Sequence, residues 1–139
     1  MDVRPISKDY AVSPQIDPQD VKLLAEAGYR SLICNRPDGE EWGQPEFVRI
    51  EEAAKAAGMQ VRWIPIVGGP TTEAMDSFKT ALDEMPGPLL AYCRSGTRST
   101  MMWTIAQFGD VPDDEIVSAT AQAGYDMSGV VMQLRQSKG

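Results

Sequence analysis

The run Leu89-Leu90-Ala91-Tyr92-Cys93-Arg94-Ser95-Gly96-Thr97-Arg98-Ser99 constrains this chain more than any other stretch. A short apolar segment delivers one cysteine, a small polar loop with two arginines follows, and an apolar stretch from Met101 to Phe108 begins at once. The order is strand, loop, helix. A loop that ends on a helix N-terminus turns unpaired backbone N–H groups inward, and the helix dipole adds partial positive charge at the same place. A cysteine held there is a better thiolate, because the amides and Arg94 or Arg98 stabilise its anion. Gly96 suits a loop position whose backbone needs a dihedral that side chains disfavour. Ser95, Thr97 and Ser99 are small, with hydroxyls that can cap the helix or donate to the thiolate. A cysteine in an apolar run is by itself most simply a packing residue. The flanking Arg-Ser-Gly-Thr-Arg turns the reading towards chemistry.

Composition narrows that chemistry. The chain has no histidine, which removes Ser-His-Asp and Cys-His nucleophile pairs, histidine metal sites and any histidine base. No metal and no cofactor are expected. Loop geometry and arginine are left to activate Cys93. The formal net charge of −7 argues against nucleic acid and anionic membrane as partners and sets Arg94 and Arg98 apart as a local anion site. Two cysteines suggest thiol chemistry or packing, not a disulfide framework. The 139 residues are read as one domain. No run approaches a membrane span, and the first residues lack the apolar stretch of a secretory signal, so a cytoplasmic location is expected.

Along the chain, Asp9 to Gln15 alternates as a first strand. Asp17-Pro18 then opens an amphipathic helix carrying Val21, Leu23, Leu24 and Ala27, with Gly28 as its stop. Arg30 to Asn35 reads as a buried second strand, and Gln60 to Val67 as a third that Pro65 places at an edge or bend. Between them, Phe47, Ile50, Ala53, Ala54 and Ala57 have helical spacing. Thr71 or Thr72 caps the next helix, and Pro86-Gly87-Pro88 turns into the cysteine strand. A buried helix from Ser99 to Phe108 follows, then helices over Pro112 to Gly124 and Met127 to Leu134. Strand-helix alternation of this kind implies parallel pairing.

Cys93-Arg94-Ser95-Gly96-Thr97-Arg98-Ser99 resembles the active-site loop of rhodanese-type sulfurtransferases. Over about Val3 to Gly129 the chain resembles the phosphatase-like domain family of bacterial beta-lactamase hydrolase-like proteins, whose fold is similar to that of protein tyrosine and dual-specificity phosphatases. The motifs that carry this are Ser13-Pro14-Gln15, Arg36 and its neighbours from Asn35 to Glu41, Gly68-Gly69, Ala91 to Ser99, and Ala123-Gly124-Tyr125-Asp126. The resemblance implies an α/β three-layer sandwich with a mostly parallel four-stranded sheet. It also implies that Arg98 closes the cradle around a persulfide, since four residues separate it from Cys93, where tyrosine phosphatases have five. Family members sometimes carry this domain fused to a persulfide-oxidising enzyme, which makes such an enzyme a candidate partner.

Asp38, Glu40 and Glu41 lie just beyond a strand end, where ligands bind in open parallel sheets. They are candidate general acids for a leaving group, or simply a solvated turn, and Arg36 beside them can pair with one of them. In the related dual-specificity phosphatases the acid usually sits some thirty residues before the cysteine. Here that segment, Ile66 to Thr72, has no carboxylate. Cys34 reads as buried and inert, although the resembling fold implies that its strand lies beside that of Cys93, which leaves a resolving role open. Trp42 and Trp63 could line the mouth of the cleft.

Three functions fit. Cys93 takes a sulfane sulfur from thiosulfate or a persulfide and passes it on, or it attacks a phosphoester with Arg98 clamping the oxygens, or the pocket binds anions or senses redox state without turnover. The short loop and the missing carboxylate favour sulfur transfer.

Overall fold

The computed structural model describes residues 1–138. Five strands form one sheet in the order β1-β2-β5-β3-β4: β1 (Arg4–Ser7), β2 (Tyr10–Ser13), β3 (Ser31–Cys34), β4 (Gln60–Trp63) and β5 (Leu89–Tyr92). All pairings are parallel except β1 with β2. The expected four strands are present, and β1 is a fifth. Its sequence hides it. Pro5 carries no N–H for a ladder, which a strand tolerates only where one side is unpaired, and β1 is an edge. The strand expected over 9–15 is trimmed to Tyr10–Ser13.

The strand that ends at Cys93 lies at the centre, with β2 and β3 as its neighbours, so both flanking strands deliver their loops to the mouth of the cysteine loop. β4 is the other edge and stops at Trp63, two residues before Pro65.

Six helices cover the two faces. α1 (Pro18–Glu26) and α2 (Phe47–Ala56) bury Val21, Leu24, Phe47, Ile50 and Ala54 against Leu32, Cys34, Leu90 and Tyr92. α3 (Thr72–Glu84), α4 (Thr97–Gln107), α5 (Asp113–Gln122) and α6 (Ser128–Lys138) pack on the opposite face, where Phe78, Met102 and Ile116 meet Tyr10, Val12, Ile33 and Ala91. Alternation along each central strand therefore feeds two separate cores, as expected for a parallel sheet covered on both sides. Local chemistry sets the helix starts. Thr71 caps α3 by accepting the Ala74 N–H at 3.1 Å, and the Asp17 N–H donates to the Asp20 carboxylate ahead of α1. Among the described residues no helix is long and apolar enough to cross a membrane.

Candidate active site

β5 ends at Tyr92, and α4 starts at Thr97, two residues before the expected Ser99. The loop between them is consequently tight. Gly96 adopts φ of +92°, the left-handed conformation that glycine accepts without strain, and stands as the N-cap of α4. This turns its N–H back onto the Cys93 sulfur at 3.1 Å. Cys93 itself is buried, and its backbone N–H reaches Ser13 O at 3.4 Å.

The remaining loop residues divide by role. Ser95 and Thr97 are exposed and their hydroxyls bond each other at 3.0 Å. Ser99 does not face the thiol as expected. It is fully buried, donates to Asn35 Oδ1 at 2.9 Å, and its carbonyl accepts from the Tyr10 hydroxyl at 2.8 Å. Asn35 in turn donates to Ile64 O at 2.9 Å, so a buried polar network pins the start of α4 to β2 and β3. Asn35 lay within a quoted motif, but nothing local to it signals this contact 64 residues away.

Arg98 leans over the loop from the first turn of α4. Its Nη1 donates to Ile66 O at 2.9 Å, and its two terminal nitrogens grip Glu40 at 2.7 and 2.9 Å. Hydrogen bonding to Glu40 raises the Arg98 pKa above its ordinary value, with a smaller contribution from the nearby Cys93 sulfur. Arg94 is mostly exposed and its guanidinium donates to Glu41 at 3.1 Å.

Arg36 is the hub on the other side. It is one of the largest fully buried side chains, donating to Glu40 at 3.0 Å, to Gln15 Oε1 at 3.0 Å and to Glu41 at 3.3 Å. Three arginines and two glutamates thus interlock at the mouth. The Arg98 hydrogen bonds, with those of Arg36, hold the Glu40 carboxyl down at about 2. At neutral pH it is a carboxylate with no proton to give. Asp38 is also committed, accepting the Phe47 N–H at the start of α2 at 2.8 Å. Glu41 bridges Arg36 and Arg94. The three candidate acids therefore serve as arginine partners and a helix contact in this arrangement.

Cys34 pairs in register with Tyr92, one residue before Cys93, which confirms the neighbouring strands. Its thiol donates to Arg36 O at 3.3 Å, and burial pushes it up to about 11. Trp63 stacks on Phe47 at 5.0 Å and donates to Arg36 O, while Trp42 is fully exposed. Among the described residues no group of acids and cysteines is placed to hold a metal ion.

Tyr125, between α5 and α6, also belongs to the site. Its hydroxyl donates to Ser95 O at 2.8 Å. Its motif was visible in the sequence, but the contact spans 30 residues and depends on how α5 and α6 pack.

The geometry has close counterparts. A beta-lactamase hydrolase-like protein of Xylella fastidiosa is 32% identical over 139 residues, covering 98% of this chain and 32% of that protein, so the chain spans about a third of its relative's length. A crystal structure of a candidate phosphatase from Neisseria meningitidis Z2491 matches with a TM-score of 0.84 at 29% identity, covering 96% of both chains. Another, from Shewanella putrefaciens CN-32, shares the fold with a TM-score of 0.74 at 19% identity, covering 97% of this chain and 85% of its own. The mixed sheet with helices on both faces has the α/β class of the protein tyrosine phosphatase-like fold. With residues 2–110 matched by the family described as beta-lactamase hydrolase-like protein, phosphatase-like domain, the chain belongs to that family.

Proposed function

We propose that this chain is a cysteine-dependent sulfurtransferase with Cys93 as nucleophile. The observation that carries the reading is the short ring from Cys93 to Arg98, closed by the Gly96 N–H on the sulfur at 3.1 Å. A ring of this size suits one terminal sulfur. The Cys93 thiolate attacks the outer sulfur of thiosulfate, the sulfur–sulfur bond of the donor breaks, and sulfite leaves with the bonding pair. Cys93 then carries a persulfide anion, held by loop amides and Arg98. An acceptor thiolate attacks the outer sulfur, forms its own persulfide and returns Cys93 to the thiolate. Neither leaving group needs a proton at cleavage, which suits a site whose best-placed carboxyl is held down at about 2. A persulfide product calls for a persulfide-oxidising enzyme, the partner class this reading assigns.

The second reading is a cysteine phosphatase, with Arg98 clamping phosphoryl oxygens. The names of the family and of its structural relatives favour it over sulfur transfer, since they point to phosphatase-like hydrolases and none of those above names a sulfurtransferase.

One preparation tests both. Thiosulfate or a low-molecular-weight persulfide should add the mass of a single sulfur atom to the intact protein, removable by cyanide or reductant and absent in Cys93→Ser. Brisk aryl phosphate hydrolysis with no sulfur adduct under any donor would overturn sulfur transfer in favour of the phosphatase.

A further inference from the structure

The Ser95–Gly96 peptide has both of its polar ends engaged. Its N–H donates to the Cys93 sulfur at 3.1 Å, and its C=O accepts from the Tyr125 hydroxyl at 2.8 Å. A peptide unit is planar with N–H and C=O pointing in opposite directions, so fixing one end aims the other. We propose that Tyr125 is a positioning residue, which holds the Ser95–Gly96 peptide in the orientation that presents its N–H to the Cys93 sulfur.

Several features support a fitted contact over a chance one. A side chain at Gly96 would overlap the Tyr125 hydroxyl, so the loop and the tyrosine meet at the closest approach a glycine allows. Tyr125 is buried, and its own N–H is tied to Thr120 O at 2.9 Å. From β1, Arg4 lies over its ring at 5.2 Å from the centroid and donates to Ala123 O at 3.3 Å. Burial raises the Tyr125 pKa, which keeps the hydroxyl protonated and able to donate. The N-terminal strand and the α5–α6 turn thus converge on one peptide of the cysteine loop. A donor on the carbonyl also polarises the N–H at the other end of the same unit.

The inference rests on Cys93 as nucleophile, and the test separates the two. Iodoacetamide alkylation of Cys93, located by peptide mass, is followed from mildly acid to alkaline pH in the intact protein and in Tyr125→Phe, which keeps the ring and its contact with Arg4. The titratable groups facing Cys93 are Tyr10 of β2, Cys34 of β3, Arg98 of α4 and Tyr125, and only Tyr125 changes. Tyr125→Phe should alkylate about fivefold more slowly at the acid end, the equivalent of about one hydrogen bond, and equally fast at the alkaline end. A merely structural loss would slow or speed both ends alike. If Tyr125→Phe does not fold, Arg4→Met, which takes away the guanidinium seated over the Tyr125 ring and leaves the loop sequence untouched, should give a smaller loss confined to the acid end. A wild-type pH dependence in the folded variant overturns the proposal. Wild-type Cys93 that reacts no faster than Cys34 overturns instead the nucleophile reading beneath it.

Discussion

The Glu40 carboxylate grips the Arg98 guanidinium with both oxygens, so the arginine on the first helical turn after the cysteine loop already holds an anion supplied by the protein itself. An incoming substrate must share or displace that partner. Glu40→Gln removes one fixed negative charge beside the loop, a change worth about 1 kcal/mol at a partly screened site. Inorganic phosphate or sulfite should then bind roughly fivefold more tightly by calorimetry. Unchanged or weaker binding would mean that Glu40 chiefly preorganises Arg98 and does not compete for it.

The same carboxyl gives a pH dependence with a definite sign. Its folded value is held down at about 2, mainly by Arg98 and then by Arg36, whereas the unfolded chain protonates near the ordinary value of about 4.3. Stability from this pairing is present above the unfolded value and is lost as pH falls towards the folded one. Asp113 and Asp126, lowered by bonds to Arg135 and Ser128, share that acid limb. Urea midpoints measured from neutral to acid pH should therefore fall in the wild type and fall less steeply in Glu40→Gln. Parallel curves would contradict the pairing.

How far the sequence reaches is clear from particular residues. Cys93, Gly96 and Arg98 lie within six residues and their roles are local, so spacing and residue type were enough to place them at one loop. Glu40 was visible as an acid near the site but not as an arginine clamp, because Arg98 lies 58 positions further on and meets it only through the sheet order. Arg36 was legible as a partner for the acids, whereas its complete burial needs Gln15 from the end of β2 as well. β1 was missed because Pro5 mimics a loop, and Ser99 was misplaced because a two-residue shift in the start of α4 rotates it from the loop into the core.

Arg36 should be the costliest charged side chain to remove. Arg36→Met retains much of the buried volume but strips donors from Gln15, Glu40 and Glu41 at once. A hydrogen bond to a charged group contributes about 1.5–3 kcal/mol, and Glu40 and Glu41 keep Arg98 and Arg94 as alternatives, so the net loss expected is about 3 kcal/mol. Chemical denaturation would measure it. A loss within about 0.5 kcal/mol would mean that the network contributes little beyond filling space.

Cys34 should be chemically silent. Its thiol is buried, bonded to Arg36 O and pushed up to about 11, so few molecules carry the thiolate at pH 8. Alkylation at that pH should label Cys93 alone, and Cys34→Ala should keep sulfur loading within about twofold while costing stability on the order of 1 kcal/mol for the lost packing. Loading abolished in Cys34→Ala would reinstate a resolving role for this residue, which its position one strand away from Cys93 permits.

Ring size separates the two chemistries most directly. With four residues between Cys93 and Arg98, the loop has one peptide fewer than the phosphatase loop, and the Gly96 N–H already closes on the sulfur. A phosphoryl group in line with the sulfur needs N–H partners for three oxygens, each charge-assisted contact contributing about 1.5–3 kcal/mol. A persulfide presents one terminal sulfur and needs fewer. Inserting one residue between Ser95 and Thr97 should therefore widen the ring, raise aryl phosphate hydrolysis by at least about tenfold from the gain of one such contact, and lower the rate of sulfur loading on Cys93. The Asn35–Ser99 bond that anchors α4 lies outside the inserted position, so the helix should still form, and circular dichroism would check that both activities are read in a folded protein. An insertion that abolishes both activities in a folded protein would show that the loop depends on the Gly96 contact as built. Hydrolysis that falls while sulfur loading persists would reverse the assignment of ring size to chemistry.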